Sequence, residues 1–175
     1  QRKTIGIENM PVIAGFDQSR RTVATAITHV ENAGLQNKIH VEKRDISDAQ
    51  AASNWKPGLI ICNPPYGERL GDEELISQLY FQFGEVLKTR FLGWKASLII
   101  SNPEMGFRLG IRSQKPITLY NGALECRLLR LTIEEKSFFV PKAKSQQERI
   151  EQVTQTNKSI IDESHSAEMF ANRLK

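Results

Sequence analysis

Four consecutive residues in this 175-residue chain could do chemistry: Asn63-Pro64-Pro65-Tyr66, directly after the apolar run Gly58-Leu59-Ile60-Ile61-Cys62. The side-chain amide oxygen of Asn63 and the backbone carbonyl of Pro64 are both acceptors, and a single NH2 group can donate to both. That pairing suits an exocyclic amine, a poor nucleophile because its lone pair is delocalised into a π system. Held between two acceptors, the nitrogen is oriented and its pyramidal form is favoured. The prolines restrict the backbone and remove donors, which would hold the Pro64 carbonyl outward, while Tyr66 offers a face on which a base can stack. The same tetrapeptide also reads as a rigid strand-to-loop turn with no chemical task. On the residues alone, both readings stand.

Two carboxylates are further candidates. Asp17 closes the stretch Pro11-Val12-Ile13-Ala14-Gly15-Phe16, and Asp45 follows the stretch from Lys38. A carboxylate at the carboxyl end of a strand can accept from both hydroxyls of a ribose, as in dinucleotide sites. The plain alternatives are a capping or loop role for Asp17 and a cap of the following turn for Asp45. His29, His40 and His165 have no partner at catalytic or metal-ligand spacing, so no metal site is expected. Cys62 and Cys126 lie in apolar runs and read as core residues, as do Trp55 and Trp94 beside strand starts.

The elements that must position these residues follow from apolar periodicity. Pro11 to Asp17 reads as a buried strand, and Ser19 caps a helix whose apolar positions Val23, Ala26, Ile27, Val30 and Ala33 recur at helical spacing until Gly34. Lys38 to Asp45 alternates as a strand, and Gly58 to Cys62 is of buried-strand type. A long helix is expected from Asp72 to about Arg90, with acidic residues in its first turn and Leu75, Ile76, Leu79, Tyr80, Phe83, Val86 and Leu87 on one face. Ala96 to Ile100 is another buried strand, and Pro103 opens a short helix ending near Gly110. Asn121-Gly122 between two strand runs signals a hairpin. The succession predicts an α/β fold, a mostly parallel sheet with a C-terminal antiparallel hairpin. Beyond Lys136 the chain turns polar, a linker with one short helix around Gln146 to Gln155.

Composition narrows the class. Hydrophobic residues make up 39% and charged residues 25%, ordinary for a globular domain. Two cysteines make no disulfide framework, and no apolar run is long enough to span a membrane. The first residue is Gln, so the chain is expected to be cut from something longer. A net charge of +4 favours a polyanionic partner. Between Lys88 and Lys115 six basic residues, including Arg108 and Arg112, face one acid, Glu104. These could contact RNA phosphates or simply form a solvated surface. Arg69, beside the candidate loop, is the better single candidate for such a contact.

A strand ending in Asn63-Pro64-Pro65-Tyr66 resembles the catalytic motif of S-adenosylmethionine-dependent amino-methyltransferases, which act on adenine N6, cytosine N4, guanine N2 or protein glutamine. The extension Gly67-Glu68-Arg69-Leu70 and the Gly122-Ala123-Leu124-Glu125-Cys126 hairpin resemble the bacterial 23S rRNA guanine-N2 methyltransferases. In larger, fused members of that family an RNA-binding THUMP domain precedes this domain and a guanine-N7 methyltransferase follows it. The final Ala171-Asn172-Arg173-Leu174-Lys175 resembles the lead-in to the latter. The resemblance implies a class I (Rossmann-like) methyltransferase fold and S-adenosyl-L-methionine as cofactor. It also implies a cytoplasmic enzyme whose partners are 23S rRNA or a ribosomal assembly intermediate and the other domains of its own chain. Asn63, Pro64, Pro65 and Tyr66 would be catalytic. Asp17, Asp45, Ile46 and Asn63 would bind the cofactor, Asp45 accepting from the adenine amine while Ile46 packs on the ring. Arg69, Arg108 and Arg112 would meet RNA.

One departure from the family is plain. Its first motif, a strand followed by an Asp-Pro-x-Cys-Gly-Ser-Gly type loop that holds the methionine part of the cofactor, has no counterpart upstream of Asp17; Gly6 and Gly15 are isolated. The expectation is a partial catalytic domain over 1–136, lacking its first strand and inactive alone, with a polar tail over 137–175. Methylation of DNA or of protein glutamine, and a non-catalytic RNA-binding module, are the alternative readings.

Overall fold

The computed structural model describes residues 6–65 and 73–141. Tyr66, Arg69, the Gly67 to Leu70 extension, and the tail with its expected helix and final five residues lie outside the described residues. The chain divides into two units, and every helix and strand described belongs to the first, Gln1–Val140.

Strand β1 (Ile13–Asp17) passes to helix α1 (Arg20–Asn32) through Ser19, whose hydroxyl accepts from the Thr22 amide at 3.3 Å and so satisfies a donor at the helix start. Gly34, at φ 70°, lets the chain leave the helix in the left-handed region. Strand β2 (Ile39–Lys43) then pairs parallel with β1, from Ile13↔Ile39 to Asp17↔Lys43. A 3-10 turn, Ile46–Asp48, begins the crossing to β3 (Leu59–Cys62). Helix α2 (Glu73–Arg90), β4 (Lys95–Ile100), α3 (Pro103–Arg108), β5 (Ile117–Asn121) and β6 (Leu124–Thr132) complete the unit.

The strands form two sheets, β1-β2 and β3-β4-β6-β5. In the larger one β3 runs parallel to β4, and β6 is antiparallel to both β4 and β5, so β3, β4 and β5 share a direction and β6 opposes them. The mostly parallel sheet with an antiparallel hairpin is as expected. The turn differs by one residue. Asn121 is still in the ladder, opposite Leu124, and the loop is Gly122-Ala123. Gly122 takes φ 63°, so the glycine occupies the first loop position, where a left-handed residue is wanted.

The core joins Tyr80, Phe83, Val86 and Leu87 of α2 to Ala96, Leu98 and Ile100 of β4 and Leu129 and Leu131 of β6. Each Val, Leu, Ile or Phe side chain among them contributes about 1.5 to 3 kcal/mol on burial. Gly84 lets α2 approach α3 closely: a Cβ there would lie 2.1 Å from the Leu109 carbonyl oxygen. Trp94, half-buried and edge-on to Phe91 at 5.4 Å, packs against the core, and Cys126 is fully buried, as read from sequence. Phe138 and Phe139, assigned to the polar tail by composition, hold to this unit: the Phe139 amide donates to Gly110 O at 2.9 Å, and its ring meets Phe107 at 4.7 Å.

Two strands expected to be buried are not. Val12 is 70% exposed beside β1, and Leu59 and Ile61 on β3 are 56% and 77% exposed. The reason is topological. Strand β1 is paired only with β2, and β3 only with β4, so each keeps one open edge among the described residues. A further strand laid along those edges would cover them. Leu75, expected on the apolar face of α2, is likewise 66% exposed, in the first turn, short of the core that begins at Tyr80.

Candidate active site

Asp17, Asp45 and Asn63 each stand at or just beyond the carboxyl end of a parallel-paired strand, the end where open α/β sheets hold ligands. The first two are brought together. The register sets Asp17 opposite Lys43, and the Arg44 amide donates to the Asp17 carbonyl at 3.0 Å, so the residue before Asp45 is tied to the end of β1.

Each carboxylate has one oxygen engaged. Asp17 Oδ1 accepts from the Ser19 amide at 2.7 Å. Asp45 Oδ1 accepts from the Ser47 amide at 2.9 Å and from the Ser47 hydroxyl at 2.8 Å. These bonds, the backbone one foremost, hold the Asp45 carboxyl below the usual carboxylate range. Among the described residues nothing donates to Oδ2 of either. The loop role weighed for Asp17 and the cap role weighed for Asp45 are thus real, and they leave an acceptor on each. Ile46 is half-buried, packed against the core cluster.

Three residues that drew no attention in the sequence frame this corner. The Arg44 guanidinium lies 4.3 Å over the Phe16 ring, pairs with Glu42, and donates to Gln50 O at 3.4 Å. It thereby fastens the segment after β2 to β1. Glu42 also meets His40 Nε2 at 2.9 Å, and that bond first, then Arg44, draws its carboxyl below the ordinary value. Only Ser47, two residues after an Asp, carries a local signal. A cavity of about 200 Å³ opens beside Arg44, lined by Ala14, Phe16, His40 and Trp55 among others, and neither Asp17, Asp45 nor Asn63 lines it.

At the end of β3 the chemistry is set by alternating burial. Cys62 is half-buried, Asn63 exposed, Pro64 buried and Pro65 exposed. A buried proline ring anchors the peptide unit whose carbonyl follows it, while Asn63 beside it is exposed. Burial pushes the Cys62 thiol up to about 11, so it is a protonated packing group and no nucleophile. Strand β4, paired beside β3, leads into α3, capped by Asn102 through the Glu104 amide at 2.9 Å. Arg108 ends that helix with its Nε buried and without a hydrogen-bond partner. Arg112 is exposed, its Nη1 3.5 Å from Lys136 O. Tyr66 and Arg69 lie outside the described residues. Among the described ones there is no cluster of side chains able to hold a metal ion, and no helix is long and apolar enough to cross a membrane.

The chain is 38% identical over its full length to the ribosomal RNA large subunit methyltransferase K/L of Hydrogenovibrio crunogenus. It is 41% identical to the protein of that name in Allochromatium vinosum, over 99% of the chain. The chain spans only 24% and 22% of these relatives' lengths. Among solved structures, SMU.472 complexed with SAH is 28% identical with a TM-score of 0.62, over 75% of this chain and 32% of that one. The predicted N6-adenine-specific DNA methylase of Listeria monocytogenes is 30% identical with a TM-score of 0.59, over 68% and 30%. The fold is that of class I S-adenosylmethionine-dependent methyltransferases. Residues 1–130 match the RMKL-like methyltransferase domain, and the chain belongs to that family.

Proposed function

We propose that this chain is the part of a full-length S-adenosylmethionine-dependent enzyme that holds the adenosine end of the cofactor and orients the amine to be methylated. The substrate amine is N2 of a guanine in 23S rRNA. The observation that carries the reading is the pair of acceptors after β3, an exposed Asn63 amide and the carbonyl of the buried Pro64. The relatives' name, ribosomal RNA large subunit methyltransferase K/L, supports the substrate class.

The residues fit such a cofactor at its adenosine end. Ribose hydroxyls and an adenine amine are donors, and Asp17 and Asp45 each keep an open Oδ2 toward such groups. The described residues hold no glycine loop for the methionine carboxylate and amine. When bound, the cofactor supplies an electrophilic methyl group on sulfur. Asn63 Oδ1 and the Pro64 carbonyl accept the two N2 hydrogens, which turns the nitrogen lone pair away from the ring and towards the methyl. Methyl transfer to N2 would leave a surplus proton on that nitrogen, which would pass to solvent. Preorganised acceptors of this kind account for rate factors of about 10² to 10³. Tyr66 stacks on the flipped guanine, and Arg69, Arg108 and Arg112 meet RNA phosphates; the unpartnered Nε of Arg108 suits an anion. Ile46 borders the adenine. The remaining domains of the chain complete the pocket and bind the RNA, in the cytoplasm.

The motif and the Listeria structure leave DNA amines, and the motif also protein glutamine, as the other substrate classes. Full-length protein, incubated with methyl-labelled cofactor and with total rRNA, DNA and protein from cells lacking the gene, should label 23S rRNA alone. Label on DNA or protein with rRNA blank would overturn the guanine reading.

A further inference from the structure

Asp45 is more firmly fixed than Asp17. Its Oδ1 accepts twice from one residue, from the Ser47 amide at 2.9 Å and the Ser47 hydroxyl at 2.8 Å, whereas Asp17 Oδ1 has the Ser19 amide alone. A carboxylate gripped at one oxygen by two converging donors cannot swing about a single bond, so its Oδ2 lone pairs keep one direction. The turn that carries Ser47 is itself held. Ile46 packs on the core, Arg90 Nη1 donates to Ala49 O at 3.3 Å, and Arg44 donates to Gln50 O at 3.4 Å. The backbone position of Ser47 is therefore set by its surroundings, and its hydroxyl is the added constraint.

We propose that Ser47 is a positioning residue for the cofactor's base: its hydroxyl locks Asp45 so that Oδ2 accepts from the adenine 6-amine, and the site thereby prefers a 6-amino to a 6-oxo purine. The inference rests on the proposed meeting of Asp45 with the adenine. The same bonds keep the Asp45 carboxyl ionised below its ordinary range, so it can accept from an amine and has no proton to offer an oxo group.

Calorimetry on the full-length protein tests this with two probes, S-adenosylhomocysteine and its 6-oxo counterpart S-inosylhomocysteine. The wild type should prefer the adenosyl compound about tenfold or more. Ser47→Ala should weaken adenosyl binding about fivefold, as an Asp45 still held by the Ser47 amide loses part of its alignment, and leave inosyl binding unchanged. Ser47→Thr, which keeps the hydroxyl, should restore the preference. A Ser47→Ala protein that binds both probes like wild type, or weakens both equally, overturns the positioning role, as does failure of Ser47→Thr to restore it. Asp45→Asn separates the two claims. If it abolishes the preference while Ser47→Ala keeps it, only the role of Ser47 falls; if wild type shows no preference, the assignment of Asp45 falls and the inference with it.

Discussion

Cys62 shows how a residue next to the proposed reacting centre is kept out of its chemistry. Burial disfavours its thiolate and raises the thiol to about 11 from an ordinary 9.0. The folded protein therefore keeps this proton between those values while the unfolded chain loses it, and Cys62 makes stability fall as pH rises across that window. At pH 8 the same shift of two units leaves about a hundredfold less thiolate than in an unfolded chain. Alkylation of the Cys62 peptide by iodoacetamide, followed by mass spectrometry of the full-length protein, should be slower than after denaturation by about that factor. Equal rates in the two states would contradict the burial. Roles at this scale were legible only where the signal is local. Ser19 caps its helix as its spacing suggests, because a cap depends on three residues. The Arg44 cluster was not legible, since the contacts to Phe16 and Gln50 exist only once β1, β2 and the following loop have met.

The elements were read more completely than their surroundings. Strand and helix boundaries follow from periodicity, with glycines at Gly34 and Gly93 taking the left-handed φ that ends each helix segment. The exposure of β1 and β3 was misread, because an apolar run reports what a strand is made to touch and not what this chain supplies. Close approach between elements is also invisible in sequence. Nothing around Gly84 announces that α3 lies against it, yet an added Cβ would meet the Leu109 carbonyl oxygen at 2.1 Å and its carbonyl carbon at 2.7 Å. Backbone cannot rotate aside as a side-chain tip can, so Gly84→Ala must part α2 from α3. It should cost about 2 kcal/mol or more, seen as a lowered midpoint in chemical denaturation of the full-length protein. An unchanged midpoint would show that the two helices are not in contact.

At the scale of the molecule, the open edges of β1 and β3 and the apolar residues beside them define what the chain needs from elsewhere. The methionine end of the cofactor would lack its backbone donors in the 175-residue chain alone. Losing several charge-assisted hydrogen bonds, at about 1.5 to 3 kcal/mol each, lowers affinity by orders of magnitude. Calorimetry should accordingly detect no cofactor binding by the isolated chain and clear binding by the full-length protein. Hydrogen exchange should find the β1 and β3 amides that face the open edges protected only in the latter. Tight binding by the isolated chain would show that the pocket is complete within these 175 residues.

The central claim is that Asn63 and the Pro64 carbonyl orient a guanine N2 amine for methylation. Its most direct test is nucleoside mass spectrometry of 23S rRNA from cells lacking the gene, after incubation with full-length protein and cofactor. Wild type should form N2-methylguanosine, and Asn63→Ala should form it at least about a hundredfold more slowly while its cofactor affinity stays within a few-fold. Methylation of another base, or near-normal turnover by Asn63→Ala, would contradict the account.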